Sequence, residues 1–152
     1  MSNHLDTSSL SNDLCHPDGF LGAMVEHLDE TAEYSCPELF LAAALCTLSV
    51  ITGRKVQDYR GTRTNILTVS IGETGCGKDH SRKVLRRILK STPLEGPEKF
   101  TSESALVTAL EKSPSLLCQM DEMGQFLKAA CNERAPAHLA ALISGIMTAF
   151  TT

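Results

Sequence analysis

The sequence contains no tryptophan, and only two tyrosines and five phenylalanines occur among its 152 residues. Stacking of nucleic-acid bases needs aromatic side chains, so this composition does not suggest a base-stacking platform. An excess of positive charge is lacking too, because the formal net charge is −4. No overall electrostatic attraction to nucleic acid or to an anionic membrane is therefore expected, although a local basic surface is compatible with this balance.

Paired cysteines, a signal sequence and a long apolar run are also missing. None of the six cysteines belongs to a C-x-x-C pair, and the polar N-terminal residues contain no apolar signal region. These absences predict reduced thiols and a cytoplasmic location. The most apolar stretch, 39–51, is shorter than the ~20 residues that span a bilayer, so no membrane partner is expected.

The sequence does contain a glycine-rich motif between an apolar run and a basic segment. The pattern G-x-x-x-x-G-K is matched by Gly72, Glu73, Thr74, Gly75, Cys76, Gly77 and Lys78, and it is followed by Asp79 and His80. The apolar run Ile66–Ile71 before it predicts a buried strand, and the segment 81–90 after it predicts an amphipathic helix. A strand, a glycine loop and a helix in this order are the context in which the pattern forms a phosphate-binding P-loop.

The residue types of this motif suit the phosphates of a nucleotide. Glycines allow backbone N–H groups to approach phosphate oxygens closely, and the N-terminus of the following helix carries a partial positive charge. The Lys78 ammonium would reach the β and γ phosphates as a mobile charge. We therefore predict that residues 72–80 bind ATP and that Lys78 also acts in catalysis.

Asp79 departs from the pattern, which expects Ser or Thr after the lysine. The usual hydroxyl ligates Mg²⁺, and a carboxylate oxygen can do the same, so Asp79 is a predicted metal ligand. A carboxylate also adds negative charge close to a polyanion. One alternative is that Asp79 stabilises the helix start while water takes the metal position. Another is that the motif is a glycine-rich turn without any ligand.

A second informative stretch lies about 40 residues further along. The segment 115–120 predicts a short apolar strand that ends in Asp121 and Glu122, the form of a Walker B element. The carboxyl ends of parallel strands meet at the ligand-binding edge of a sheet. We therefore predict that Asp121 holds Mg²⁺ and that Glu122 is the general base for water. The alternative is an acidic pair that stabilises a helix N-terminus.

The turn and helix-boundary signals in the rest of the chain predict three regions: a flexible arm at 1–16, a helical segment at 17–60, and a partial P-loop NTPase core at 61–152. Pro17-Asp18-Gly19 precedes an amphipathic helix, and a mostly apolar helix runs from Pro37 to near Gly53. Short strands are predicted at 54–59 and 99–101, and further helices from Ser102, at 124–130 and at 138–150. The expected fold class is thus α/β, a parallel sheet with N-terminal helices and a core that is cut short at its C-terminal side.

With both motifs identified, the segment 39–150 resembles a family of P-loop proteins from phages, plasmids and bacteria. That family is similar to the helicase part of primase–helicase replication proteins. Besides the two motifs, the resemblance rests on 52–56, 61–65, 102–106 and 123–127. It implies a RecA-like or AAA+-like ATPase core in which Lys78, Asp121 and Glu122 have the family's roles. It also implies that aspartate after the lysine is compatible with activity.

Three functions follow as expectations. The first is an ATP-binding, Mg²⁺-dependent ATPase, the N-terminal part of a helicase-like protein of DNA replication or mobile elements, with single-stranded or duplex DNA and further copies of itself as partners. The second is a nucleotide-binding module with little or no hydrolysis. The third is a small-molecule kinase, which is disfavoured because no arginine-rich lid is evident after Asp121.

Overall fold

Seven helices make up the regular structure that the computed structural model describes, which comprises residues 12–73, 75–130, 132 and 136–151. Most of the predicted N-terminal arm and Thr74 of the glycine motif lie outside these residues. The helices are α1 (Asn12–Cys15), α2 (Phe20–Glu30), α3 (Pro37–Thr52), α4 (Lys78–Leu89), α5 (Glu103–Lys112), α6 (Met123–Ala130) and α7 (Ala137–Thr151). No helix among the described residues is both long and apolar enough to cross a membrane.

The first core forms where α2, α3 and α4 meet. Val25 and Leu28 are three residues apart on α2, so they share one helix face, and both are fully buried. They pack with Phe40 and Ala44 of α3 and with Val84 of α4. The helices predicted after Gly19 and from Pro37 are thereby confirmed, with Pro37 in the first turn of α3. This core fixes the position of α4, which follows the glycine motif directly.

A second core lies between α5 and α7, which contact each other along their length. Leu106 and Leu142 are its buried residues. Helix α5 starts as predicted, because the Ser102 hydroxyl caps it by accepting a hydrogen bond of 3.2 Å from the Ala105 N–H. Helix α6 contacts α7 as well, so the segment after Asp121-Glu122 belongs to this half of the molecule.

The predicted α/β fold class is wrong. The described residues contain two isolated β-bridges, an antiparallel one between Gln57 and Arg63 and a parallel one between Glu95 and Leu117, and no strand. A RecA-like or AAA+-like P-loop NTPase core needs a parallel sheet of several paired strands, covered on both faces. The described part of the chain forms an all-helical structure in which extended segments connect the helices.

The run Ile66–Ile71, predicted to be the central strand, is extended but pairs with no strand in the part of the chain that the structure describes. Its large apolar side chains are exposed, with Ile71 at 90% and Leu67 at 55% of their full accessible area. The segment runs along α3 instead, where Thr68 and Cys46 share a hydrogen bond of 3.3 Å. Water can satisfy the backbone groups of an exposed extended chain, so this conformation does not require a sheet.

The run 115–120, predicted as the second strand, is attached by a few contacts. The Leu117 N–H donates to the Leu94 carbonyl at 2.8 Å, and the Gly96 N–H donates to the Leu117 carbonyl at 3.0 Å. The Ser115 hydroxyl donates to the Val50 carbonyl at 2.6 Å, near the end of α3. An isolated bridge and side-chain hydrogen bonds hold this run in place, and it does not lie beside Ile66–Ile71 in a ladder.

Candidate functional site

The glycine motif forms a loop that leads directly into the N-terminus of α4. Gly75 and Gly77 have φ angles of 85° and 81°, in the left-handed region that glycine adopts without a steric penalty. A Cβ atom on Gly72 would lie 2.5 Å from the Cys76 Sγ, so the first glycine permits the loop to close on itself. The motif therefore has the local backbone that a glycine-rich turn needs, although the sheet predicted before it is absent from the described residues.

The Lys78 side chain folds back over this loop. Its Nζ donates a hydrogen bond of 3.2 Å to the Gly72 carbonyl, so the ammonium of the last motif residue lies at the first one. Lys78 is exposed and is the first residue of α4, whose leading N–H groups have no partners within the helix. A mobile cation and the positive end of a helix thus lie together at the loop, an arrangement that favours an anion.

His80 faces away from the loop and into the first core. Its Nε2 lies 3.1 Å from the Leu28 carbonyl and 3.0 Å from the Thr31 hydroxyl, and its ring packs edge-on against Phe40. A carbonyl only accepts hydrogen bonds, so this nitrogen carries the proton. The imidazole of His80 therefore joins α4 to α2. Its backbone N–H donates to the Gly77 carbonyl at 2.9 Å, so the side chain and the N–H of this predicted nucleotide contact are both engaged within the protein.

Asp79 and Asp121, the two predicted metal ligands, come together around one arginine. The Arg82 Nη2 donates to the Asp121 Oδ2 at 2.9 Å and lies 3.7 Å from the Asp79 Oδ1. Asp79 and Arg82 are three residues apart on α4, which places their side chains next to each other. The structure thus brings the glycine motif and the Asp-Glu motif together, although Asp79 and Asp121 are 42 residues apart in the sequence.

Arg82 is the centre of a wider group of charges. Its Nη1 lies 3.9 Å from the Glu98 carboxylate, which also pairs with Arg86. Only 23% of the Arg82 side chain is exposed, and its Nε is buried without a hydrogen-bond partner. A partly buried guanidinium among three carboxylates is held more firmly than an exposed one, because less water screens the charges.

Glu122, the predicted general base, has an unusual backbone conformation. Its φ is 53°, in the left-handed region that costs a non-glycine residue about 1–2 kcal/mol. Its N–H donates to the Asp121 Oδ1 at 2.9 Å, and its carbonyl accepts from the Gln125 N–H at 2.9 Å as α6 begins. Both oxygens of Asp121 are thereby engaged, one by Arg82 and one by Glu122. Glu122 itself is exposed beside them.

The donor set fits Mg²⁺ in its chemistry but not in its number. Carboxylate oxygens are ligands that Mg²⁺ prefers, and Asp79 and Asp121 supply them. Mg²⁺ takes about six oxygen ligands, however, and no group of three or more His, Cys, Asp or Glu side chains suited to a metal occurs in the part of the chain that the structure describes. A metal at this place would therefore need phosphate oxygens and water as additional ligands.

Cys118 is a partly buried thiol in the run that leads to Asp121. Burial raises the pKa of Cys118 from 9.0 to about 11, so the neutral thiol is favoured at physiological pH. The thiolate is the nucleophilic form, and Cys118 therefore adds packing rather than chemistry to the run before Asp121.

An ordered turn at 57–63 was not predicted as a functional feature. The Asp58 carboxylate accepts hydrogen bonds of 2.8 Å from the backbone N–H groups of Arg60 and Thr62, and Gly61 has a φ of 84°. Tyr59 projects from the tip with 88% of its area exposed, and the Arg60 guanidinium lies 5.1 Å from the centre of its ring. Asp58 followed by Gly61 is a turn signal in the sequence. The sequence thus predicts a turn at Arg60-Gly61, and of the two predictions for this segment only the short strand at 54–59 is wrong, because Gln57 forms an isolated bridge there.

The sequence pattern did not single out Arg82 either, because Arg82 is one of several basic residues on the predicted polar face of α4. Its spacing of three from Asp79 was the available signal. Nothing in the sequence indicates the pairing with Asp121, which depends on how the second half of the molecule packs.

Comparison of the chain with protein-family models, with curated proteins and with solved structures finds no match.

Proposed function

We propose that this protein binds ATP at the loop 72–80, with Lys78 as the principal phosphate contact. The observation that carries the proposal is the convergence of three features: a glycine loop, a lysine at the N-terminus of α4, and the paired carboxylates of Asp79 and Asp121. An isolated helix N-terminus attracts many anions. The two carboxylates add negative charge that would face the metal cation of a metal–nucleotide complex.

Each residue has a defined task in this proposal. Lys78 exchanges its hydrogen bond with the Gly72 carbonyl for one with a phosphate oxygen, and the first N–H groups of α4 donate to neighbouring oxygens. Gly75 leaves the approach to the backbone open, because nothing lies within 4 Å of the place where a Cβ atom would be. Asp79 and Asp121 would hold Mg²⁺ together with the phosphates, and the ion would neutralise phosphate charge.

Whether ATP is hydrolysed separates an ATPase from a binding module. Glu122 has the position of a candidate base, because it follows Asp121 and is exposed beside it. We propose binding as the shared function of both classes, and we include Glu122 as the residue on which turnover would depend. Release of phosphate is therefore measured on the same samples as affinity.

The test is ATP affinity measured by calorimetry with Mg²⁺ present, for the full chain and for Lys78→Ala. We expect the substitution to weaken binding at least tenfold, since charge-assisted hydrogen bonds contribute about 1.5–3 kcal/mol. Lys83→Ala is the matched control, because Lys83 is an exposed lysine five residues further along α4. Equal affinity of wild type and Lys78→Ala would remove the basis of the proposal.

Single-stranded DNA is proposed as a second ligand, and the turn at 57–63 is the feature that favours it. Bases stack on exposed aromatic rings and on guanidinium planes, and Tyr59 and Arg60 present both side by side. Arg54, Lys55 and Arg63 add positive charge to the sequence on either side of the tip. This local basic surface is of the kind that a net negative charge does not exclude.

A further inference from the structure

We propose that Tyr34 binds the nucleobase of ATP, with its phenol ring stacked on the base. This inference rests on the proposed function, because it adds a base-binding residue to the phosphate-binding loop 72–80. Recognition of the nucleoside part of the ligand is thereby assigned to the connection between α2 and α3, which belongs to neither the glycine motif nor the Asp-Glu motif.

Tyr34 lies directly against the glycine loop. A Cβ atom on Gly77 would lie 3.4 Å from the Tyr34 carbonyl oxygen and 3.7 Å from the Tyr34 Cβ, which are van der Waals distances. Gly77 precedes Lys78, the first residue of α4 and the proposed phosphate contact. The Tyr34 side chain therefore starts beside the residue that leads into the phosphate site.

The connection that carries Tyr34, residues 31–36, is attached at both of its ends. The Thr31 hydroxyl lies 3.0 Å from the Nε2 of His80, which belongs to the first turn of α4. Cys36, at the other end, packs against the first core. Because the backbone on either side of Tyr34 is already fixed, a base that stacks there does not have to order this connection first, and less affinity is lost to ordering.

The exposure of Tyr34 leaves its side chain accessible to a ligand. An aromatic side chain gains free energy when it is buried, yet 57% of Tyr34 is exposed to water. The phosphates of a nucleotide bind to charge and to N–H groups, whereas its base is a flat ring that stacks on other rings. Lys78 and Tyr34 supply these two kinds of contact, one following Gly77 in the chain and the other packed against it.

The experiment compares two ligands in the presence of Mg²⁺: ATP, and inorganic tripolyphosphate, which has phosphates but no base. Calorimetry on the full chain measures the affinity for each. We expect Tyr34→Ala to bind ATP about fivefold or more weakly than wild type, which corresponds to about 1 kcal/mol, the lower end of the contribution of one stacked base. Its affinity for tripolyphosphate should equal that of the wild type, because the phosphate contacts remain.

Two further variants tie the effect to an aromatic ring at this place. Tyr34→Phe keeps the ring and should bind ATP as the wild type does. Tyr59→Ala removes the other tyrosine of the chain, at the tip of the turn 57–63, and should leave ATP affinity unchanged. If Tyr34→Ala loses helical circular dichroism, Tyr34→Leu, which keeps a large apolar side chain without a ring, replaces it.

Tyrosine fluorescence gives an independent measurement, because the chain has no tryptophan and only two tyrosines. In Tyr59→Phe the only emitting tyrosine is Tyr34, and we expect ATP to quench its emission while tripolyphosphate does not. Tyr34→Phe, in which Tyr59 is the only tyrosine, corrects for the light that the base itself absorbs.

Equal ATP affinity of wild type and Tyr34→Ala overturns this inference, and so does ATP binding without quenching in Tyr59→Phe. An equal loss of affinity for ATP and for tripolyphosphate in Tyr34→Ala also overturns it, because Tyr34 would then shape the loop and not contact the base. Failure of the wild type to bind either ligand contradicts the phosphate site itself, and the role of Tyr34 is lost with it. The two proposals therefore fail by different results.

Discussion

Glu122 shows at the level of one residue how a candidate site conflicts with stability. Its φ of 53° is left-handed, and nothing about a glutamate side chain relieves the contact between Cβ and the backbone in that region. Backbone strain of this kind persists where surrounding structure fixes it, and it concentrates at functional positions. Here the hydrogen bonds to Asp121 and Gln125 fix it.

Glu122→Gly should therefore stabilise the protein. Glycine removes the strain but makes the unfolded chain more flexible, and we expect a net increase of about 0.5–1 kcal/mol in the free energy of unfolding, measured by urea denaturation. Ser91→Gly is the control, because Ser91 has a φ of 66° outside the candidate site. It should give a similar gain.

The two variants should differ in function. If Glu122 acts as general base, Glu122→Gly loses any ATP turnover at unchanged ATP affinity, while Ser91→Gly keeps both. A loss of stability in Glu122→Gly would show that the side chain, and not the backbone, makes the important contacts there.

At the level of elements, the helices were predictable and the extended segments were not. Three of the helices carry local signals that act within a few residues: Gly19 before α2, Pro37 as the first residue of α3, and the Ser102 cap of α5. The runs 66–71 and 115–120 are also largely apolar, and 66–71 is rich in β-branched residues. A strand, however, needs a neighbour elsewhere in the chain, and a short apolar run does not specify one.

The candidate site was predictable for the same reason that the helices were. Lys78 and Asp79 follow from the spacing of the motif and lie at the start of α4, and Asp121 was identified from its local pattern. The role of Arg82 depends on contact between α4 and a residue 39 positions later, which the sequence pattern does not encode. Long-range pairing is thus the part that required a structure.

The turn at 57–63 is the element whose proposed role is most directly testable. Tyr59→Ala removes the exposed ring but leaves the Asp58 hydrogen bonds, so the turn should keep its shape. We expect affinity for a fluorescent single-stranded DNA to fall about fivefold or more, since stacking of one base contributes about 1–3 kcal/mol.

Phe20→Ala is the control for this loss, because Phe20 is also exposed, at 48%, but lies on α2. It should leave DNA binding unchanged. Equal weakening by both variants would show that the turn does not contact DNA, and a lack of salt dependence in the wild type would exclude a phosphate contribution.

At the level of the whole molecule, two buried cores hold the helices and leave the short, largely apolar run 66–71 exposed to water. Phe40, Leu28 and Val25 are fully buried in one core and Leu142 in the other. Between them, the exposed run 66–71 leads into the glycine loop, so the loop is anchored mainly through α4 and not through a strand before it. Ile71 is therefore exposed to water in the all-helical fold, whereas the predicted sheet would bury it.

Ile71→Thr distinguishes these two folds in solution. In the all-helical structure Ile71 is 90% exposed, and we expect the free energy of unfolding to change by less than about 0.5 kcal/mol, as for most surface substitutions. In a central strand the same change would remove buried methyl groups and bury a hydroxyl, at a cost of about 2 kcal/mol or more.

Leu28→Ala, at a fully buried position, is the reference variant for this comparison. We expect it to lower the free energy of unfolding by about 2–5 kcal/mol in urea denaturation. A loss in Ile71→Thr close to that of Leu28→Ala would mean that the run 66–71 is buried in solution, and hence that the chain pairs it with a partner strand.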